Sequence, residues 1–495
     1  MSAPHQDEID DAPEMLDADE ALEEIEDGDE DIAIDSDDEE PIEINIHNDS
    51  IAYFDAHKDS VFAIAQHPTQ PTLIATGGSE GDGDDAPGKG YVFDTSPVVG
   101  RPVLPPSYNA NPNAPQQNST ELRSLFTIEG HTDSINTLAF TLPRGEFLVS
   151  GGLDGRMRVY QLSVDGRNKA SFAFLAESQE VPEINWLAPC PVEPNSQHGV
   201  ANTIALGASD GSVWVYTIDS SDASNPLQIV QSYFLHTESC TAGAWSPDGK
   251  FLATVSEDGS LLVWDVWGEA AAKGLTNDNG QTVVSLNSSD QRFAVEGGLY
   301  SVAIDPKTSF VAVGGAGGAI KIVGLPRLGV DSHPASSKQS KAKAKGAEAG
   351  GSQGGTILAD LHTQGDGIET LSFSPNNPLL AAGSVDGSIV IYDTSRRFAV
   401  RRHIKEAHEE FSVVKVEFVR GLGDGWLLTS CGMDGVVRRW DVRGAAGATT
   451  ESMMKEWKGH RGDGEGGGVL GFVQGSTGER IVTAGDDGIV LVFEA

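Results

Sequence analysis

The chain has 495 residues, 39% of them hydrophobic and 7% aromatic, with 58 glycines, which is too long for one ordinary core and calls for several domains or a repeat array that grows by addition. No apolar run approaches the roughly twenty residues of a membrane span, and the N-terminus has neither the basic nor the apolar region of a signal peptide. The 33 basic residues face 74 acidic ones, a net charge of -41, which opposes binding to DNA, RNA or anionic lipid and favours a basic partner.

The excess is unevenly placed. Residues 1–50 hold 22 acids and no lysine or arginine, and the remaining 52 acids against 33 bases leave -19 for the rest. From Asp7 to Glu43 the sequence is nearly a polyanion, as in Asp35-Ser36-Asp37-Asp38-Glu39-Glu40. Such a stretch cannot bury enough apolar area to offset chain entropy, so residues 1–41 are expected to be a disordered acidic leader. Ser36 lies in an acidic run of the kind acidophilic kinases modify. The alternation Ile42, Ile44, Ile46 then predicts a strand that opens a folded region over 42–495.

Beyond Tyr53 a unit recurs about every fifty residues. It comprises an apolar strand, a Ser/Thr/Gly-rich strand, an Asp-Gly turn and a strand ending in an aromatic or aliphatic residue. Thr76-Gly77-Gly78 with Tyr91-Val92-Phe93 is a degenerate first copy. Gly130-His131 with Asp154-Gly155 and Tyr160 marks the second, and Asp210-Gly211 with Tyr216 the third. His236, Asp258-Gly259 and Trp264-Asp265 mark the fourth, and a second degenerate copy runs through Val313-Gly314-Gly315. The last three carry Asp386-Gly387, Asp434-Gly435 and Asp487-Gly488. Interruptions fall at residues 79–90, 97–120 and 331–355, the last carrying Lys338, Lys341, Lys343 and Lys345 and expected to be an unstructured insertion. The three cysteines, Cys190, Cys240 and Cys431, are far apart and form no CxxC pair, which fits a reducing cytoplasmic or nuclear compartment.

Gly-His, Asp-Gly and Trp-Asp at this spacing resemble the WD-repeat family over about residues 52–495. The resemblance implies an all-β, eight-bladed WD-repeat β-propeller behind the acidic tail. It also implies that the loop histidine, the Ser/Thr of the second strand, the turn aspartate and the aromatic of the third strand form a hydrogen-bonded chain. His131, Ser150, Asp154 and Tyr160 form the fullest set legible in the sequence. Because the chain ends after the third strand of the last unit, the Ile42–Ile46 segment is expected to supply that blade's outer strand and close the ring.

Catalytic signatures are missing: there is no GxxxxGK[ST] loop, no HExxH and no GxSxG. The expectation is a non-enzymatic protein without cofactor or metal. His57, His131, His236 and His460 occupy one position of the repeat and are read as structural.

Acidic residues at the starts of the first strands read differently. Asp59, Asp133, Glu238 and Asp366 align just before those strands, Glu183 and Glu369 fall at neighbouring offsets, and Glu257 and Asp486 each precede a turn aspartate. All eight are expected on one face, ringing the central channel. Like charges gathered there repel by about 1 kcal/mol per pair at 4 Å in water and by more near a protein surface. Lysines and arginines of a bound peptide would relieve that repulsion.

The acidic leader, eight units and carboxylate ring resemble the SQT (suppressor of QSR truncations) group of ribosome-assembly chaperones, with the angio-associated migratory cell protein more distant. The resemblance implies a monomeric chaperone that takes the basic N-terminal segment of a new large-subunit ribosomal protein, L-ten (uL-sixteen), on its acidic face. Such a chaperone would meet its client at the translating ribosome and deliver it to the pre-60S particle, with no contact to DNA or membrane. Two alternatives stay open at this point: a chaperone of another basic client, such as a histone or another ribosomal protein, and a scaffold or ubiquitin-ligase adaptor.

Overall fold

The computed structural model describes residues 48–81, 83, 86–98, 120–165, 169–191, 202–328, 354–421, 425–444, 452–461 and 467–495. The expected leader, Ser36, the Ile42–Ile46 strand, the lysines of the long insertion and most of residues 97–120 lie outside them.

Among the described residues the strands form eight sheets, seven of them four-stranded, antiparallel and built from consecutive segments. We name the blades one to eight in chain order and the strands of each blade a to d. Strands a are Ala63–Gln66, Ile135–Phe140, Ile184–Pro189, Cys240–Trp245, Leu299–Ile304, Ile368–Phe373, Val413–Phe418 and Val469–Val473. Each touches the strand a of the blades before and after it, and blade eight touches blade one, so the eight line a closed central channel. Eight units give an eight-bladed propeller, as the repeat count predicts.

Strands b are buried along nearly their whole length: every residue of Phe147–Gly152, Phe251–Ser256 and Leu379–Ser384 is inaccessible. Sheets covered on both faces lose the in-out alternation, which is why these runs read as continuous Ala, Val, Leu and Ser. The core lies between blades. Phe251, Val255 and Val263 of blade four, for example, pack against Leu299, Val311 and Val313 of blade five.

Buried polar chains tie the turns down. In blade seven the Trp440 indole N–H donates to Ser430 Oγ at 2.8 Å, Ser430 meets His408 Nε2 at 2.7 Å, and His408 Nδ1 meets Asp434 Oδ1 at 2.8 Å. His131 repeats the last two links with Ser150 and Asp154, at 2.8 and 3.1 Å, but Tyr160 sends its hydroxyl to the Glu129 carbonyl. The fullest chain is therefore in blade seven, not blade two. His57, His236 and His460 contact Thr76, Thr254 and Thr483 at 2.8–2.9 Å, which bears out their structural reading.

Closure differs from expectation. The fourth strand of blade eight is Ala52–Phe54, running antiparallel to Val490–Glu494 with Ala52 opposite Val492 and Phe54 opposite Val490. A fifth, Thr120–Glu121, then pairs parallel with it. Ile51, Ala52 and Phe54 are buried in one cluster with Val482, Val490 and Val492. Tyr53 instead packs into the cluster of Trp457 and Phe493. Both faces of this segment are thus covered by neighbouring blades. The N-terminal side of the fold does close the ring, but with the residues that immediately precede blade one.

Candidate functional site

The loop joining each strand d to the next strand a lies against the b–c turn of the preceding blade. Gly211, in the turn of blade three, adopts φ +81° so tightly against this loop that a Cβ would sit 2.6 Å from the Glu238 carbonyl oxygen. The same glycine position in blades five, six and eight meets the loops at Asp366, Glu409 and Asp59. The d–a loops and b–c turns therefore share one face of the propeller, and the eight sequence-predicted carboxylates all lie on it.

Asp59, Asp133, Glu238 and Asp366 belong to the loops of blades one, two, four and six, and Glu183 to that of blade three. Glu257 and Asp486 sit in the turns of blades four and eight, while Glu369 is the second residue of strand a in blade six. Three of the aspartates share a local geometry: Oδ1 of Asp59, Asp133 and Asp366 accepts the next residue's backbone N–H at 2.6–2.8 Å. In each, one carboxylate oxygen fixes the side chain against its own backbone. Asp486 is tied laterally, its Oδ1 accepting from Ser60 Oγ at 2.6 Å.

A feature of the ladders brings one of the acids, Glu369, to the channel. In seven blades the pairing of strand a with strand b slips after its first residue, leaving a bulge at Asn136, Asn185, Thr241, Tyr300, Glu369, Val414 and Leu470. The residue before each bulge, such as Ile135, Leu299 or Ile368, is fully buried. The bulged residues are half-buried or exposed, so they open on the mouth of the channel. Glu369 enters the ring through this bulge. Lost hydration there, reinforced by the charge of Asp366, raises its pKa above the ordinary carboxylate value. A neighbouring cation would reverse that shift.

The mouth also contains a residue that the charge pattern does not reveal. Tyr300, at the bulge of blade five, is 38% exposed. Its hydroxyl pKa is raised by lost hydration and then by the charges of Glu257, Glu369 and Glu238. Nothing in its flanking sequence marks it, since a bulge is a property of pairing and not of composition.

The described residues contain no cluster of His, Cys, Asp and Glu able to hold a metal ion. The three thiols are buried; burial pushes Cys190 and Cys431 up to about 12 and Cys240 in the same direction. No helix among these residues is long and apolar enough to cross a membrane.

Comparison with known proteins agrees with this architecture. The WD domain, G-beta repeat model matches residues 122–161, 227–265 and 355–393. A crystal structure of Chaetomium thermophilum Sqt1 bound to the N-terminus of the ribosomal protein L10 is 62% identical, spans 91% of this chain and all of that one, and superposes with a TM-score of 0.77. The chain belongs to the Sqt1 family. Ribosome assembly protein SQT1 of Saccharomyces cerevisiae is 28% identical over 74% of this chain and 75% of its own length. The human angio-associated migratory cell protein is 24% identical over 74% of this chain and 69% of its own.

Proposed function

We propose that this protein is a dedicated, non-enzymatic chaperone that captures the basic N-terminal segment of newly made ribosomal protein L10 in the cytoplasm for 60S subunit assembly. The observation that carries this reading is the convergence of eight carboxylates on one face around a channel mouth, in a chain 62% identical to a protein seen bound to that segment.

The chemistry follows from the charges. Long-range attraction from an acidic surface raises the rate at which a basic chain is captured, including one still emerging from the ribosome. Lysine and arginine side chains then pair with Asp59, Asp133, Glu183, Glu238, Glu257, Asp366, Glu369 and Asp486. Charge-assisted hydrogen bonds of this kind contribute about 1.5–3 kcal/mol each, and the backbone bonds of Asp59, Asp133 and Asp366 engage only one oxygen of each. Covering the segment keeps it from RNA and from aggregation until the higher charge density of the pre-60S particle draws it away.

Calorimetric titration with a synthetic peptide of the L10 N-terminus, at low and high salt, tests the proposal. Tight binding that weakens with salt is the expected result. No binding at either salt would point to another basic client, such as a histone. Binding unaffected by reversal of the ring charges would favour a side-surface scaffold or ubiquitin-ligase adaptor.

A further inference from the structure

The inner ring is not uniform around its circumference. In blades two, three and four the bulged residue of strand a is polar and bonds to the first residue of strand a in the next blade. Asn136 donates to the Ile184 carbonyl at 2.7 Å, Asn185 to Cys240 at 2.9 Å and Thr241 to Leu299 at 2.6 Å. In blade five this tie is made one residue later, by Ser301 Oγ to the Ile368 carbonyl at 2.7 Å. Tyr300 is thereby released from the lateral bond that holds its counterparts, and its ring stands in the mouth instead.

Its surroundings are set by the same register. Tyr300 and Glu369 are bulged residues at equivalent positions of adjacent strands a. On the other side, Gly298 is packed so closely on the turn of blade four that a Cβ would lie 2.8 Å from the Glu257 carbonyl oxygen. Glu238 lies beside the same turn: its carbonyl accepts from Ser256 Oγ at 3.0 Å, and the Glu257 N–H donates to the Ser239 carbonyl at 3.1 Å. An exposed aromatic face bordered by three carboxylates is a poor match for water and a good match for a planar cation. A guanidinium stacks on an aromatic ring while its N–H groups reach carboxylates at the ring's edge, whereas an ammonium is a compact, strongly hydrated point charge that gains less from the ring.

We propose that Tyr300 is the residue by which the acidic mouth selects arginine over lysine, its ring stacking on a client guanidinium while Glu238, Glu257 and Glu369 take the N–H groups. This rests on the chaperone reading above, since it assigns specificity within the same face. The family comparison supplies the independent pointer to a ligand: a protein 62% identical is bound to a ribosomal-protein N-terminus.

The test uses the full chain and two synthetic versions of the L10 N-terminal segment, one with every basic residue as arginine and one with every basic residue as lysine. The unmodified protein is expected to prefer the arginine peptide about tenfold in calorimetric affinity, with Tyr300→Phe retaining that ratio. Tyr300→Leu keeps apolar bulk without a π face, and Tyr300→Ala removes both; each is expected to bring the ratio close to one. Equal affinity of the unmodified protein for both peptides, or an unchanged ratio in Tyr300→Leu, would overturn the assignment while leaving the chaperone proposal intact. Failure of the unmodified protein to bind either peptide would overturn both.

Discussion

Ser60 Oγ donates to Asp486 Oδ1 at 2.6 Å, joining blade one to blade eight on the acidic face. The two residues are 426 positions apart in sequence, and the bond forms only because the ring closes. Asp486 thus serves two ends: it holds the seam and contributes charge to the mouth. Asp486→Ala is expected to cost about 1.5 kcal/mol of stability, at the low end for a charged hydrogen bond because the pair is only half-buried. Urea unfolding measures that loss, and peptide titration of the folded variant should show weaker binding in parallel.

Asp366 and Glu369 are both exposed, so Asp366→Lys together with Glu369→Lys should leave the fold intact. The double variant replaces two negative charges at the mouth by two positive ones and is expected to abolish capture of the L10 peptide. Unchanged circular dichroism and thermal unfolding, alongside lost binding in calorimetry, is the predicted pair of observations. Retained binding by the folded variant would move the site elsewhere.

Because Glu369 holds its proton to a higher pH than an ordinary carboxylate, peptide binding should carry a pH signature. A client cation favours the ionised form, so binding expels the proton, and affinity should fall as pH drops through the raised value. Glu369→Gln should bind more weakly at neutral pH and lose this part of the pH dependence. Titrations between pH 7.5 and roughly pH 5 separate the two curves.

Stability should respond to acid through the buried histidines. Burial lowers His57 and His236 from 6.5 to about 4, and also lowers His408. Between those values the unfolded chain takes up protons that the native state refuses. The contribution is therefore complete above the unfolded pKa and is lost as pH falls from 6.5 towards 4, by roughly 3 kcal/mol for each of His57 and His236. Urea midpoints should be flat above neutrality and decline below pH 6.5. His236→Gln should start lower and decline less.

Truncation locates the closing strand. Removing residues 1–47 takes the Ile42–Ile46 segment but spares Ala52–Phe54, and the unfolding temperature is expected to change little. Removing residues 1–55 deletes the strand against Val490–Glu494 and should destabilise the ring severely. Phe54→Ala offers a point test: its ring is 2% exposed and stacked on Phe93 at 4.7 Å, so about 3–5 kcal/mol should be lost.

The repeat itself was legible in the sequence because each blade writes its own turn chemistry. Asp-Gly dipeptides, apolar runs and loop histidines are local requirements, and they predict eight blades and a structural role for His57, His131, His236 and His460. His408, in Ala407-His408-Glu409-Glu410, belongs to the same set in blade seven. The shared face of the eight carboxylates was legible for the same reason, since position within a repeat fixes which end of a blade a loop occupies.

Interactions between neighbours along the chain specify the blade count, the turns and the acidic character of the loops. Tertiary structure alone decided the features that depend on pairing between distant segments. Ile42–Ile46 and Ile51–Phe54 are both apolar enough to make a strand, and burial between blades seven, eight and one selects the second. Tyr300 and Asn185 occupy the same bulge in their blades, yet one bonds to its neighbour and the other opens on the mouth. That difference arises because Ser301 satisfies the next blade's carbonyl in place of Tyr300.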